Sequence, residues 1–169
     1  MSDDVKALAM TRDELMAALN RAAREVSGQA VLFSQALADH LGVGSSDLEC
    51  LDIVLLHGPL TAGELARRSG LTSGAITGVI DRLEKAGFAA RETDAADRRK
   101  VLVRALPAIE ARAAPAVKPM EDANVALLSG YSDKELALLL DYMTRSHASA
   151  VEVTVALRAQ TGASRQGRK

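Results

Sequence analysis

Residues 60–106 read LTAGELARRSGLTSGAITGVIDRLEKAGFAARETDAADRRKVLVRAL, and a change of period inside them decides the fold. Thr61 with Glu64 three residues on is a reciprocal capping pair, which predicts a short helix over Ala62–Ser69. Gly70 breaks it. Thr72 or Ser73 opens a second helix that ends at Gly87 in a left-handed cap. Leu65 and Ala66 from the first helix, then Leu71, Ile76, Val79, Ile80 and Leu83, recur at helical spacing and turn inward. Thr72, Ser73, Ala75, Thr77, Gly78, Asp81 and Arg82 are left facing out. After Gly87 the pattern becomes extended. Phe88–Thr93 and Lys100–Leu106 read as two strands, separated by Asp94-Ala95-Ala96-Asp97-Arg98-Arg99, so a two-stranded hairpin with a charged tip is expected.

Working outward, Thr11 to about Leu41 carries Leu15, Leu19, Ala22, Val26, Ala30, Phe33, Leu37 and Leu41 at steps of three and four, the stripe of a long amphipathic helix. Thr11 and Glu14 form its capping box. Gly42 and Gly44 end it, Ser45 or Ser46 caps a further helix to about His57, and Gly58-Pro59 stops that one. Beyond Pro107, Ala108–Ser129 is Ala-rich but holds Pro115 and Pro119, where a kink or break is expected. Ser132 caps a last helix whose stripe is Leu136, Leu139, Leu140, Met143, Ala150, Val151 and Leu157. The fold class is mainly α with a small β-hairpin wing: a winged helix–turn–helix core with helices on both sides. Residues 1–44 are expected to form an N-terminal dimerisation helix, 45–106 the winged unit, 107–162 C-terminal dimerisation helices, and 163–169 a disordered basic tail. The middle cannot bury both long stripes, and a second copy related by two-fold symmetry is the natural cover.

Composition removes several classes of function. The aromatics are Phe33, Phe88, Tyr131 and Tyr142, only 2% of the chain, too few for a base-stacking platform. Cys50 is the single cysteine, so no internal disulfide can form, which agrees with a reducing cytoplasm. No run is long and apolar enough to span a bilayer, and the Met1-Ser2-Asp3-Asp4 start is acidic where a secretory signal would be basic. His40, His57 and His147 are far apart, so no metal site is expected. Nucleophile-elbow, P-loop and dinucleotide motifs are missing, and no catalytic constellation stands in their place. The chain reads as no enzyme and needs no cofactor.

The formal charge of -1 conceals an asymmetry, for residues 58–106 carry +3 and the remainder -4. The outward face of the second helix is small and hydroxyl-bearing, suited to a groove floor, and hydroxyls and helix N-termini also bind phosphate. Gly74 and Gly78 each cost roughly 1 kcal/mol against Ala in a helix, which points either to a close approach or to a loose helix propensity that tertiary packing tolerates. The hairpin adds charge: Arg98, Arg99 and Lys100 at the tip, with Arg91 and Arg104 on the strands. A guanidinium on a projecting loop can enter a narrow minor groove. Asp97 is placed to hold Arg99 through a bidentate pair before DNA arrives.

The run from Leu60 to Val103 resembles the winged helix–turn–helix core of the MarR family, the multiple-antibiotic-resistance regulators. Leu60-Thr61, Glu64-Leu65-Ala66, the stretch from Val79 to Lys85, Gly87, and Asp97-Arg98-Arg99 before a Val/Leu strand carry the resemblance; the flanking helices share the family's layout. The resemblance implies a homodimer that regulates transcription, as repressor in the favoured reading. A recognition helix would lie in the major groove and a wing in the adjacent minor groove of double-stranded DNA. It places Ser73, Thr77 and Arg82 on the recognition helix and Asp97 and Arg99 at the wing's Asp-x-Arg positions. The full set expected at DNA is Thr61, Thr72, Ser73, Ala75, Thr77, Gly78, Arg82, Asp97, Arg98, Arg99 and Lys100. Two residues depart from the family pattern: Gly78 stands where relatives often carry Arg or another long polar side chain, and Pro107 where Thr often follows the last wing strand. Pro is acceptable in a first helical turn.

The resemblance also implies a small, often aromatic effector between the dimer helices and the winged part. A few kcal/mol of preference for a DNA-incompetent spacing would suffice for induction. Cys50 is not in the first helix, where the peroxide-sensing branch keeps its thiol, and reads as a buried structural cysteine. Gly78 and the modest local charge leave a second reading open, a winged-helix protein-interaction module with little DNA affinity.

Overall fold

Capping chemistry decides where the helices start. The computed structural model describes the backbone of residues 10–166, and side chains as far as Gln160. The elements run α1 (Arg12–Leu41), α2 (Ser45–His57), β1 (Leu60–Thr61), α3 (Ala62–Ser69), α4 (Ser73–Lys85), β2 (Ala89–Thr93), β3 (Val101–Ala105), α5 (Pro107–Leu128) and α6 (Asp133–Gln166). Reciprocal caps stand at Thr11/Glu14, Thr61/Glu64 and Ser132/Glu135. α2 begins differently from expectation. Ser45 is already helical, Gly44 holds the cap position, and the Asp47 carboxylate accepts the Gly44 N–H at 3.3 Å. Pro107 opens α5, where its missing N–H would have had no helical partner.

The sheet has three strands, not two, in the order β1-β3-β2 and antiparallel throughout. Leu60 and Thr61 pair with Val103 and Leu102, and Ala89 to Thr93 pair with Ala105 to Val101. A two-residue strand has no period to read, which is why β1 escapes sequence analysis. At the end of α4, Gly87 has φ of 74° and donates to Glu84 O, while Phe88 N–H returns to Leu83 O. This pair of hydrogen bonds closes the helix and aims the chain into β2.

Two compact units divide the chain at Val117/Lys118. The first, Met1–Val117, holds the core: Phe88, Leu51, Leu65, Ile76, Ile80, Leu83, Val103 and Ile109 are all buried, with Ala38 and Leu41 from the end of α1. The start of α5 belongs to this unit rather than to a separate region from 107, because Ile109 is in the core and the Arg112 guanidinium lies 5.0 Å from the Phe88 ring centroid. Arg112 also donates to Leu41 O at 3.4 Å.

The second unit, Lys118–Lys169, contains the remainder of α5 and α6. Pro115 and Pro119 do not break α5, which is one continuous helix. Each proline removes one hydrogen bond of the ladder, and the flanking Ala-rich turns keep the rest. α6 continues to Gln166, into the stretch expected as a disordered tail; residues 167–169 lie outside the described residues. No helix among the described residues is long and apolar enough to cross a membrane. Large apolar side chains remain exposed along four helices: Leu19, Val26 and Leu32 on α1, Leu55 and Leu56 on α2, Val125 and Leu127 on α5, and Leu138, Leu140, Met143 and Val153 on α6.

Candidate nucleic-acid interface

α4 has a small, open first half. Thr72 caps it, its hydroxyl accepting the Ala75 N–H at 3.3 Å. Ser73, Ala75 and Thr77 are exposed, and Thr77 Oγ1 donates back to Ser73 O at 3.1 Å. Ile76, Val79, Ile80 and Leu83 fix the opposite face in the core. The inward and outward sets follow the sequence expectation. A face of short hydroxyls on a rigidly held helix can come close to base edges without first ordering long side chains.

The second half of α4 is built otherwise. Arg82, a residue expected at DNA, turns its Nε and Nη2 to Asp47 on α2, donating to Oδ2 at 2.8 Å and Oδ1 at 2.6 Å. The Asp47 side chain is 3% exposed and that of Arg82 58%. The carboxylate hydrogen bonds raise the Arg82 guanidinium further above its ordinary range. Gly78 sits beneath this arm: a Cβ there would stand 3.3 Å from Arg82 Nη1. The close approach expected at Gly78 is therefore met from within the protein. Gly74 has open space around it.

Asp81 and Glu84 tie α4 to the hairpin. Arg91 on β2 donates through Nη2 to Asp81 at 2.7 Å and through Nη1 to Glu84, and its backbone N–H reaches Glu84 Oε1 at 2.9 Å. Arg104 donates to Glu92 at 2.7 Å across the hairpin. These two arginines, read from sequence as part of the cationic surface, do lie at the surface but are paired there with carboxylates of the protein. Thr61 is likewise occupied: its hydroxyl donates to Glu64 at 2.7 Å and accepts the Glu64 N–H at 3.2 Å.

The tip keeps its charge facing outward. Asp94 accepts the Ala96 N–H, Lys100 N–H returns to Asp97 O, and Asp94 N–H reaches Lys100 O, so the loop has a defined course. Arg98 and Lys100 are exposed. Arg99 meets Asp97, but not as the bidentate pair expected: a single oxygen, Oδ1, accepts both its backbone N–H at 3.1 Å and its Nε at 3.2 Å. The Arg99 side chain remains 91% exposed, leaving its outer nitrogens available to an anion.

Asp47 and the clamp at Arg91 have no counterpart in the sequence reading. Asp47 and Arg82 are separated by 35 residues, and no local spacing links them. Cys50 is buried, and desolvation, with lesser contributions from Asp47 and Glu49, pushes its thiol above the ordinary range, as expected of a structural cysteine. Between α1 and α2, Phe33, Ser34, Leu37, Leu48, Glu49 and Asp52 line a cleft of about 230 Å³.

Comparison with known proteins places this geometry. Residues 44–101 match the MarR family model. An uncharacterized HTH-type transcriptional regulator of Bacillus subtilis, YcgE, is 37% identical over 136 residues, 80% of this chain and 88% of the relative. Among solved structures, a MarR family protein from Bacillus stearothermophilus superposes with a TM-score of 0.61 at 20% identity, covering 84% of this chain and 99% of its own. A mutant of MepR from S. aureus, bound to an oligodeoxyribonucleotide, gives 0.51 at 16% identity, covering 78% and 96%. At such identities the structures speak for the fold, and the sequence relative speaks for the family. With its helix–turn–helix and three-stranded wing, the chain belongs to the MarR family of DNA-binding transcriptional regulators.

Proposed function

We propose that this regulator is a homodimeric repressor whose two copies read a pseudo-palindromic duplex. Each would lay the first half of α4 in the major groove and the tip from Asp97 to Lys100 in the adjacent minor groove. The observation that carries the reading is selective pairing of charge. Arg82, Arg91 and Arg104 are held at the surface in ion pairs with other elements, whereas Arg98 and Lys100 extend from a hydrogen-bonded loop and Arg99, paired only to Asp97 beside it, stays 91% exposed. The cytoplasm, with its DNA, is the place of action in this reading. A small effector with an aromatic body would seat against Phe33, Leu37 and Leu48 in the cleft beside α2.

The test is a salt titration of binding to a duplex selected from a random library. Arg98→Ala and Arg99→Ala should each weaken binding and lower the slope of log K against log salt by about one, because each leaves one phosphate without its cation. Unchanged affinity and slope in both would remove the wing from the interface. The protein-interaction reading draws on Gly78 and on the modest charge of +3 over residues 58–106. A heparin column separates the two readings, because a protein-binding module elutes at low salt.

A further inference from the structure

Among the described residues, Asp47 is the one charged or polar residue found buried, at 2% exposure. A buried carboxylate persists only where its charge is met and its oxygens are bonded. Here both oxygens are taken by Arg82, and Oδ2 also accepts the Gly44 N–H. The partner is not a core residue. It stands on the recognition helix with its side chain mostly exposed. The guanidinium lies over Gly78, where an added Cβ would stand 3.3 Å from Nη1. Nη1 has no part in the Asp47 fork.

We propose that Asp47 is a positioning residue for DNA binding: from α2 it holds Arg82 flat across Gly78, so that Nη1 donates to a backbone phosphate at the edge of the major groove. A long arginine otherwise loses much rotamer freedom on meeting DNA, and one already held at two nitrogens has lost most of it beforehand. Phosphate contacts of this kind set the register of a recognition helix without reading a base. The inference rests on the DNA-binding reading above. It also makes a prediction opposite in sign to plain electrostatics, under which removal of a negative charge near DNA tightens binding to every duplex.

The experiment compares a duplex enriched by the wild-type chain from a random library with a scrambled duplex of equal length and composition. Asp47→Asn should lose about tenfold on the enriched duplex while the scrambled one binds equally or more tightly. Its salt slope on the enriched duplex should fall by about one, although the protein has become more positive. Arg82→Gln should show the same losses, and the double variant should be no worse than Arg82→Gln alone, as expected of one unit. Gly78→Ala crowds Nη1 without changing charge and should reduce the enriched-to-scrambled ratio about threefold or more, with no fall in melting temperature. Tighter or equal binding of both duplexes by Asp47→Asn, or additive losses in the double variant, overturns the proposal. Should Asp47→Asn not fold, an unchanged ratio in Gly78→Ala overturns it alone. Failure of the wild-type chain to enrich any duplex defeats the DNA-binding reading itself, and this inference with it.

Discussion

Arg91 has its guanidinium committed within the protein, bridging Asp81 and Glu84, while Arg98 a few residues on has none of these constraints. Their residue type is the same, and only the fold separates a brace from an exposed cation. The capping glutamates show the converse, a role readable from spacing alone. The Thr11 and Thr61 amides and then hydroxyls, and the Ser132 hydroxyl and then amide, hold Glu14, Glu64 and Glu135 below their ordinary 4.5. A carboxyl depressed in the folded state contributes stability that is fully present above its unfolded pKa and is lost as pH falls through the folded one. Stability should therefore begin to decline just below pH 4.5 and continue toward the lower folded values. Urea midpoints measured from about pH 6 to about pH 3 check this, and Glu64→Gln should make the decline shallower. An identical decline in that variant would dismiss the cap as its source.

At the scale of elements, α4 divides in two. Its first half exposes hydroxyls, and its second is braced to α2 through Asp47 and to β2 through Arg91. The bracing holds the helix against both α2 and the first strand of the hairpin. Most helix boundaries were legible because caps and glycines act within four residues of chain; the start of α2 and the end of α6 were the exceptions. The braces were not legible, because their partners come from other elements. α5 carries a different lesson. Pro119 lies inside a continuous helix, where it withholds a backbone donor and crowds the preceding turn. Pro119→Ala should raise stability by roughly 1–2 kcal/mol in chemical denaturation, less than the full helix penalty because the freed unfolded chain gains entropy. A loss of stability would show that the proline has a packing partner worth more than the bond it forfeits.

For the whole molecule, the exposed apolar side chains are the dominant feature outside the core. Leu140 is 69% and Met143 64% exposed on α6, and Val26 is 69% exposed on α1. Apolar surface left in water at about 25 cal/mol per Å² favours association, and a second copy supplies a matching face. The homodimer proposed above predicts that Leu140→Glu with Met143→Glu yields monomers in sedimentation velocity. The winged unit should stay folded, since neither side chain enters its core. DNA affinity should fall steeply, because two half-sites then bind separately. A wild-type chain that sediments as a monomer at micromolar concentration would end the dimer reading.

The order of the helices, the two faces of α4, the hairpin and the family were all written in local patterns. Apolar period, capping residues and turn glycines act between neighbours in the chain, and neighbours are what a sequence displays. Tertiary structure alone decided which cations are free. It turned Arg82 to Asp47 and Arg91 to Asp81 and Glu84, added β1 to the sheet, and drew the start of α5 into the core. Ion pairs and strand pairs form between groups distant in sequence, so their partners are set by where the packed core carries each side chain.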